Sequence, residues 1–184
     1  MKVSNNSQAG FTYVDVMIAM VILLVGVLAL MSAISAAILQ SRGQERQLTA
    51  KQIATSTMES IMSVKETDPV RFGWKAVGNV GTNPDANGIN QGVFLNGEQA
   101  VLADPGVDEV IGTGDDSGAQ VGGFTREIVI RDQCDPERPS ANCAVPGDLP
   151  VRIRTVEVRV NFYIGAIRQQ ERIATVLTDY SIIQ

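Results

Sequence analysis

The chain has 184 residues, enough for one compact domain with its own core and too few for two comfortable ones. Its 15 Lys and Arg against 20 Asp and Glu give a net charge of -5, so it lacks the basic face a phosphate-backbone binder needs, and no nucleic-acid partner is expected. Histidine is absent, which removes the commonest general base, the Ser-His and Cys-His nucleophile pairs and the commonest metal ligand. With no paired carboxylates in an apolar setting either, the composition speaks against an enzyme.

From Met1 to Leu39 the only charged side chains are Lys2 and Asp15, and the run from Val16 to Ser41 has none. As a helix this run extends roughly 39 Å, more than the ~30 Å of a bilayer's hydrocarbon core. All 7 prolines lie at Pro69 or later, and Gly10, Gly26 and Gly43 are the only glycines before Gly73. Proline and glycine punctuate secondary structure, so the first third of the chain reads as one long helix that Pro69 ends.

That helix has two halves. Residues 11–40 are apolar almost all round, as in a segment surrounded by lipid or by other helices. In residues 41–65 polarity rises, and Ala50, Ile53, Ala54, Met58, Ile61 and Met62 recur at mostly three- and four-residue steps, a stripe that one side of a helix would lay on a soluble domain. Residues 66–123 turn to Gly, Asn, Asp, Thr and Pro and read mostly as surface loop, with a small hairpin-like stretch at Val93 to Leu95 and Ala100 to Leu102.

Strand periodicity returns after Gly123. Phe124, Arg126, Ile128 and Ile130 share one face. Val156, Val158, Val160 and Phe162 then alternate with Glu157, Arg159, Asn161 and Tyr163, the pattern of a strand with one side in a core and one in water. Val151 and Ile153 are out of phase with this alternation, which suggests a bulge near Thr155 or a late start. Residues 172–178 form the next strand across a short connection containing Gly165, an antiparallel hairpin. The expected fold is α+β: a long N-terminal helix packed on a C-terminal antiparallel sheet of three or four strands, with the Ala50 to Met62 stripe as its cover.

Cys134 and Cys143 are the only cysteines. The short, proline-containing loop between them suits a local disulfide better than a zinc site, which would want four ligands; two unpaired, partly buried thiols are the alternative. A disulfide would place the C-terminal part in an oxidising compartment. Lys2 on the inside against Arg42 and Arg46 outside gives no charge-based orientation, so the cysteines carry it.

The residues Gly10, Phe11, Thr12, Tyr13, Val14, Asp15 and the hydrophobics that follow resemble the type IV prepilin cleavage signal: glycine before the cut, phenylalanine after it, an acid shortly inside, then an unbroken apolar run. Ala50 to Ala54 leading to Met58, Glu59 and Ile61, with the later blocks at residues 126–130 and 156–160, look like PilV-type minor pilins and GspI-type minor pseudopilins. The resemblance implies a pilin-like fold. Residues 1–10 would be a leader, residues 11–40 a transmembrane and filament-core helix, residues 41–65 its amphipathic continuation, and residues 66–184 a periplasmic domain. It implies cleavage by an inner-membrane prepilin peptidase between Gly10 and Phe11, methylation of the new amino group of Phe11, and partners among other pilin or pseudopilin subunits. The chain would be a single-pass inner-membrane protein that later joins a pilus or pseudopilus. In the family the acid is normally Glu and sets register with a neighbouring subunit; here Asp15 holds that place with one methylene less of reach.

The implied function is that of a minor pilin helping to initiate or assemble a type IV pilus, with a minor pseudopilin of a type II secretion system and a membrane-anchored periplasmic binding domain as alternatives. A secretory signal cut after Ala37 would need a shorter apolar run without Asp15, and a wholly buried helix would need a larger domain to cover it. Asn83, Asp85 and Asn87, with Gly88, match the start of a calcium loop, but Phe94 stands where the closing glutamate belongs, so an Asn-Gly turn is the default and no bound cofactor is expected. Residues 112–118 are glycine-rich without the lysine of a phosphate loop and read as flexible. Glu59 is either a subunit contact or a solvated helix charge, and Trp74 an anchor over the helix end.

Overall fold

A computed structural model describes residues 12–67, 73–133 and 151–179. The chain is α+β, with one long N-terminal helix packed on a four-stranded antiparallel sheet, and it divides into two units, residues 1–44 and 45–184. Helix α1 (Tyr13–Thr67) runs through both Gly26 and Gly43.

In the first unit every side chain from Thr12 to Arg42 is exposed. The Ser35 hydroxyl donates to the Met31 carbonyl at 2.9 Å, the internal solution a hydroxyl finds when no polar solvent is at hand. The helix is long and apolar enough to cross a membrane.

In the second unit α1 buries one face: Ala50, Ala54, Thr57, Met58, Ile61 and Val64 are each at most 4 % exposed. Thr57 is compatible with that face because its hydroxyl donates to Ile53 O at 2.8 Å. The expected stripe holds except at its end. Met62 is 38 % exposed, because the helix advances about 100° per residue and the step of three from Ile61 carries the buried line to Val64.

Helix α2 (Gly73–Ala76) follows, then β1 (Glu98–Asp104), β2 (Ser117–Gln133), β3 (Ile153–Ile164) and β4 (Ile167–Thr178), ordered β1-β2-β3-β4. Val156, Val158, Val160 and Phe162 of β3 join Phe124 and Ile128 of β2 and the buried face of α1 in one core; the Phe124 and Phe162 rings lie 5.7 Å apart, tilted by 45°. The turn from β3 to β4 is Gly165 and Ala166, with Gly165 at φ +62°, where a two-residue hairpin favours glycine.

Three expectations are corrected. There is no bulge near Thr155: β3 pairs with β2 without interruption from Ile153 to Asn161. Ile153 lies on the outer face, and the core-facing position is taken by Arg154, 4 % exposed. Most of the described residues in 66–123 lie outside helix and strand, as read, but β1 and the start of β2 occupy positions read as loop. The Val93–Leu102 hairpin does not form. Phe94, fully buried, instead pairs with Asn79 in a parallel bridge, and Ala100 and Leu102 pair with β2. Outside β1's reach, the β2 backbone is met by a side chain: the Asn79 carboxamide donates to Ile128 O at 2.8 Å and accepts from Ile130 N–H at 2.9 Å.

Ile61→Ala should lower stability by about 2–5 kcal/mol, the cost of a cavity in a closed core, whereas Met62→Ala should change it by less than about 0.5 kcal/mol. Urea unfolding of the detergent-solubilised full chain, followed by circular dichroism, checks both.

Candidate functional site

The start of α1 is a reciprocal cap. The Thr12 N–H and hydroxyl both donate to Asp15 Oδ2, at 3.1 and 2.6 Å, while Asp15 N–H donates back to Thr12 Oγ1 at 3.3 Å and to Thr12 O at 3.0 Å. This is the capping-box arrangement with Asp in place of the usual Glu or Gln. A first-turn carboxylate also complements the positive end of the helix dipole. Asp15 is the one charged side chain among the described residues before Arg42, and it stands at the head of an exposed apolar helix. Thr12 is the partner that sequence reasoning missed; its signal was a threonine three residues before an acid at the head of an apolar run.

Gly10, Phe11, Cys134 and Cys143 lie outside the described residues. The calcium-like stretch forms a turn. Asp85 Oδ1 accepts from Asn87 N–H at 2.8 Å and Ile89 N–H at 2.9 Å, and Gly88 N–H reaches Asp85 O at 3.0 Å. Asn83 Oδ1 accepts from Arg154 Nη2 at 3.0 Å, so the first oxygen of the would-be ligand set already faces a cation. No cluster of three or more His, Cys, Asp or Glu among the described residues is arranged to hold a metal.

The glycine-rich stretch at residues 112–118 is ordered by its two acids, which corrects its reading as a flexible loop. Asp115 Oδ2 accepts from Val107 N–H at 2.8 Å and Asp108 N–H at 3.1 Å, and Asp116 Oδ2 from Gly112 N–H at 3.0 Å. The Thr113 hydroxyl bond, followed by the backbone donor of Asp108, holds the Asp115 carboxyl below its ordinary value. Gly112 is required here: its φ is +99° and an added Cβ would meet Ile128 Cδ1 at 2.5 Å. Ser60 Oγ of α1 accepts from Ile111 N–H at 3.0 Å and ties this loop to the helix.

Two arginines hold the interior. Arg126 of β2, 3 % exposed, pairs with Asp116 at 2.8 Å and reaches Thr57 of α1 at 3.4 Å. Burial pushes its guanidinium down from the ordinary value, and Asp116 opposes that. Arg154 lies over the Trp74 ring at 4.5 Å, donates to the carbonyls of Trp74 and Val77, and pairs with Asp132 at 2.8 Å. Trp74 is thus a stacking platform for a structural arginine, with its indole N–H donating to Val151 O at 2.5 Å. Glu59 is exposed, in keeping with a solvated charge.

The outer face of the sheet is a lattice of ion pairs. Glu157 lies between Arg159 at 2.5 Å and Arg172 at 2.6 Å, and Arg159 also reaches Glu127 at 3.1 Å. Glu98 pairs with Arg168 at 2.7 Å and accepts from Thr125 and Asn161. Glu157 and Asn161, expected in water, are only 9 % and 3 % exposed, because these neighbours cover them with their stems. The hydrogen bond from Arg159 is the main cause that holds the Glu157 carboxyl below its ordinary value, with both arginine charges adding to it.

No protein-family model, no curated protein and no solved structure matches this chain.

Two outcomes follow from the charges. Asp116→Asn should cost about 3–5 kcal/mol by leaving a buried guanidinium unpaired, and the double change Asp116→Asn with Arg126→Met should recover most of it; urea unfolding reads both. Because the folded-state value of Glu157 is depressed, its stabilisation is present above the ordinary glutamate range and is lost as pH falls through the folded value. Glu157→Gln should therefore flatten the acid limb of stability against pH, read by urea unfolding across the acid range.

Proposed function

We propose that the chain is a prepilin-class subunit, a minor pilin that helps initiate or assemble a type IV pilus. The observation that carries this reading is the division of labour along α1. Every residue from Thr12 to Arg42 is exposed and all but a few are apolar, while Ala50 to Val64 of the same helix wall a separate folded core. An apolar helix of that length needs lipid or other helices around it, and side chains that face lipid can trade it for neighbouring helices at little hydrophobic cost. One helix can thus serve first as membrane stem and then as filament stem.

The N-terminal residues support the same reading. A cut between Gly10 and Phe11 would leave Thr12 as the second residue of the mature chain, so the capped helix would begin next to the new amino terminus. Asp15 spends Oδ2 on Thr12. Its other oxygen, without a partner among the described residues, would receive the terminal ammonium of an adjacent subunit, a pairing that would offset the cost of a carboxylate in an apolar setting. The mechanism is mechanical and calls on no bound cofactor.

Gly10→Leu should leave uncleaved, unassembled precursor in the membrane, whereas the unaltered chain should lack residues 1–10. Normal maturation of the variant by intact-mass measurement would overturn the prepilin reading. Asp15→Ala should be cleaved normally but incorporate poorly into filaments, and Asp15→Glu should incorporate well because it keeps both the cap and the charge; filament content by immunoblot of sheared fractions distinguishes them.

A further inference from the structure

Beyond Asn161, β3 parts from β2 and pairs only with β4. The arm so formed ends in Tyr163, Ile164, Gly165, Ala166 and Ile167, with no charged side chain in the stretch. Tyr163 is 52 % and Ile167 65 % exposed. A hairpin tip in water normally carries Asn, Asp or Ser beside its glycine; here Ile164 leans on the core, while the exposed Tyr163 and Ile167 on either side of the turn call for a different surrounding.

The tip is tied to α1. Arg46 Nη1 donates to the Tyr163 carbonyl at 3.0 Å. Arg46 comes five residues after Ser41, where the uncharged run ends. Five residues cover about 8 Å at helical rise and under ~18 Å fully extended, so chain reach alone keeps Arg46 close to the end of the membrane-capable run. Tyrosine beside aliphatic side chains, with an arginine next to them, is the composition that favours the zone between acyl chains and headgroups.

We propose that the β3–β4 tip, residues 163–167 with Arg46, docks on the headgroup layer of the bilayer that holds α1, a phospholipid surface with anionic headgroups. This rests on the membrane-anchored reading above. It gives the domain a second point of attachment before assembly, with Ile167 and the Tyr163 ring entering the interface and Arg46 facing the phosphates.

Tryptophan fluorescence of the full chain, reconstituted in vesicles of phosphatidylethanolamine and phosphatidylglycerol, tests it. Three variants, Tyr163→Trp, Leu28→Trp and Val107→Trp, are read as differences from the unaltered chain, whose Trp74 supplies the background. Lipids brominated near the headgroup or deep in the acyl chain serve as quenchers. Leu28→Trp should lose intensity to deep bromines. Tyr163→Trp should shift to the blue and lose intensity to shallow bromines, and Val107→Trp, on a 91 % exposed side chain, should do neither. If Leu28→Trp is quenched while Tyr163→Trp behaves like Val107→Trp, docking of the tip is overturned and the membrane anchor stands. If Leu28→Trp escapes quenching as well, the membrane-anchored reading fails and the docking fails with it.

Discussion

The contact on which the folded domain depends is the one between the small-residue face of α1 and the valine row of β3. Ala50, Ala54, Thr57, Met58, Ile61 and Val64 of α1 are buried on one face, and its apolar members share one core with Val156, Val158 and Val160. A three- or four-stranded sheet with one apolar face does not persist uncovered in water. The covering element here is the second half of a helix whose first half is apolar on almost every side, so the stem is covalently continuous with a wall of the domain.

Charge does a second, independent job in holding the interior. The chain is acidic overall, yet the two most deeply buried charges, Arg126 and Arg154, are arginines. Arg126 links β2 to α1 and to the 104–117 connection, while Arg154 links β3 to α2 and to Asn83. A planar guanidinium has five donors in a fixed fork and can hold several partners on different elements at set angles, whereas a lysine offers three donors from one rotatable point. No buried side-chain polar atom among the described residues lacks a partner, so these links desolvate charge without leaving it unanswered.

The elements with a single dominant period were legible in the sequence. The helix read correctly because glycine and proline are sparse before Pro69, and β3 because Val156 to Phe162 alternate without exception. Arg154 defeated that logic: a charged residue at a core position made Ile153 look out of phase and suggested a bulge, although only the partners of Arg154, distant in sequence, make its burial tolerable. Arg126 was placed on the correct face, but its counter-ion Asp116 sits in a stretch whose glycines suggested flexibility. β1 was hidden because its pairing with β2 is broken by irregularities after Ala100 and Leu102, which spoil a two-residue period. At the helix start the acid at Asp15 was legible, whereas the reciprocal bonds from Thr12 depend on backbone geometry that composition does not show.

Asn79 has a bearing on how the domain tolerates company. An open β edge invites a strand from another molecule, and natural sheets blunt such edges to avoid aggregation. Where β1 runs out, the carboxamide of Asn79 occupies the hydrogen-bonding groups of Ile128 and Ile130, leaving no ladder there for an intruding strand to extend. At the opposite margin β4 presents Arg168, Glu171 and Arg172. In the antiparallel two-fold registers centred on Glu171 or on Arg172, that residue would face its own copy across the seam. One margin is stoppered where β1 ends and the other is electrostatically selective, a combination that discourages copies of the domain from fusing sheet to sheet.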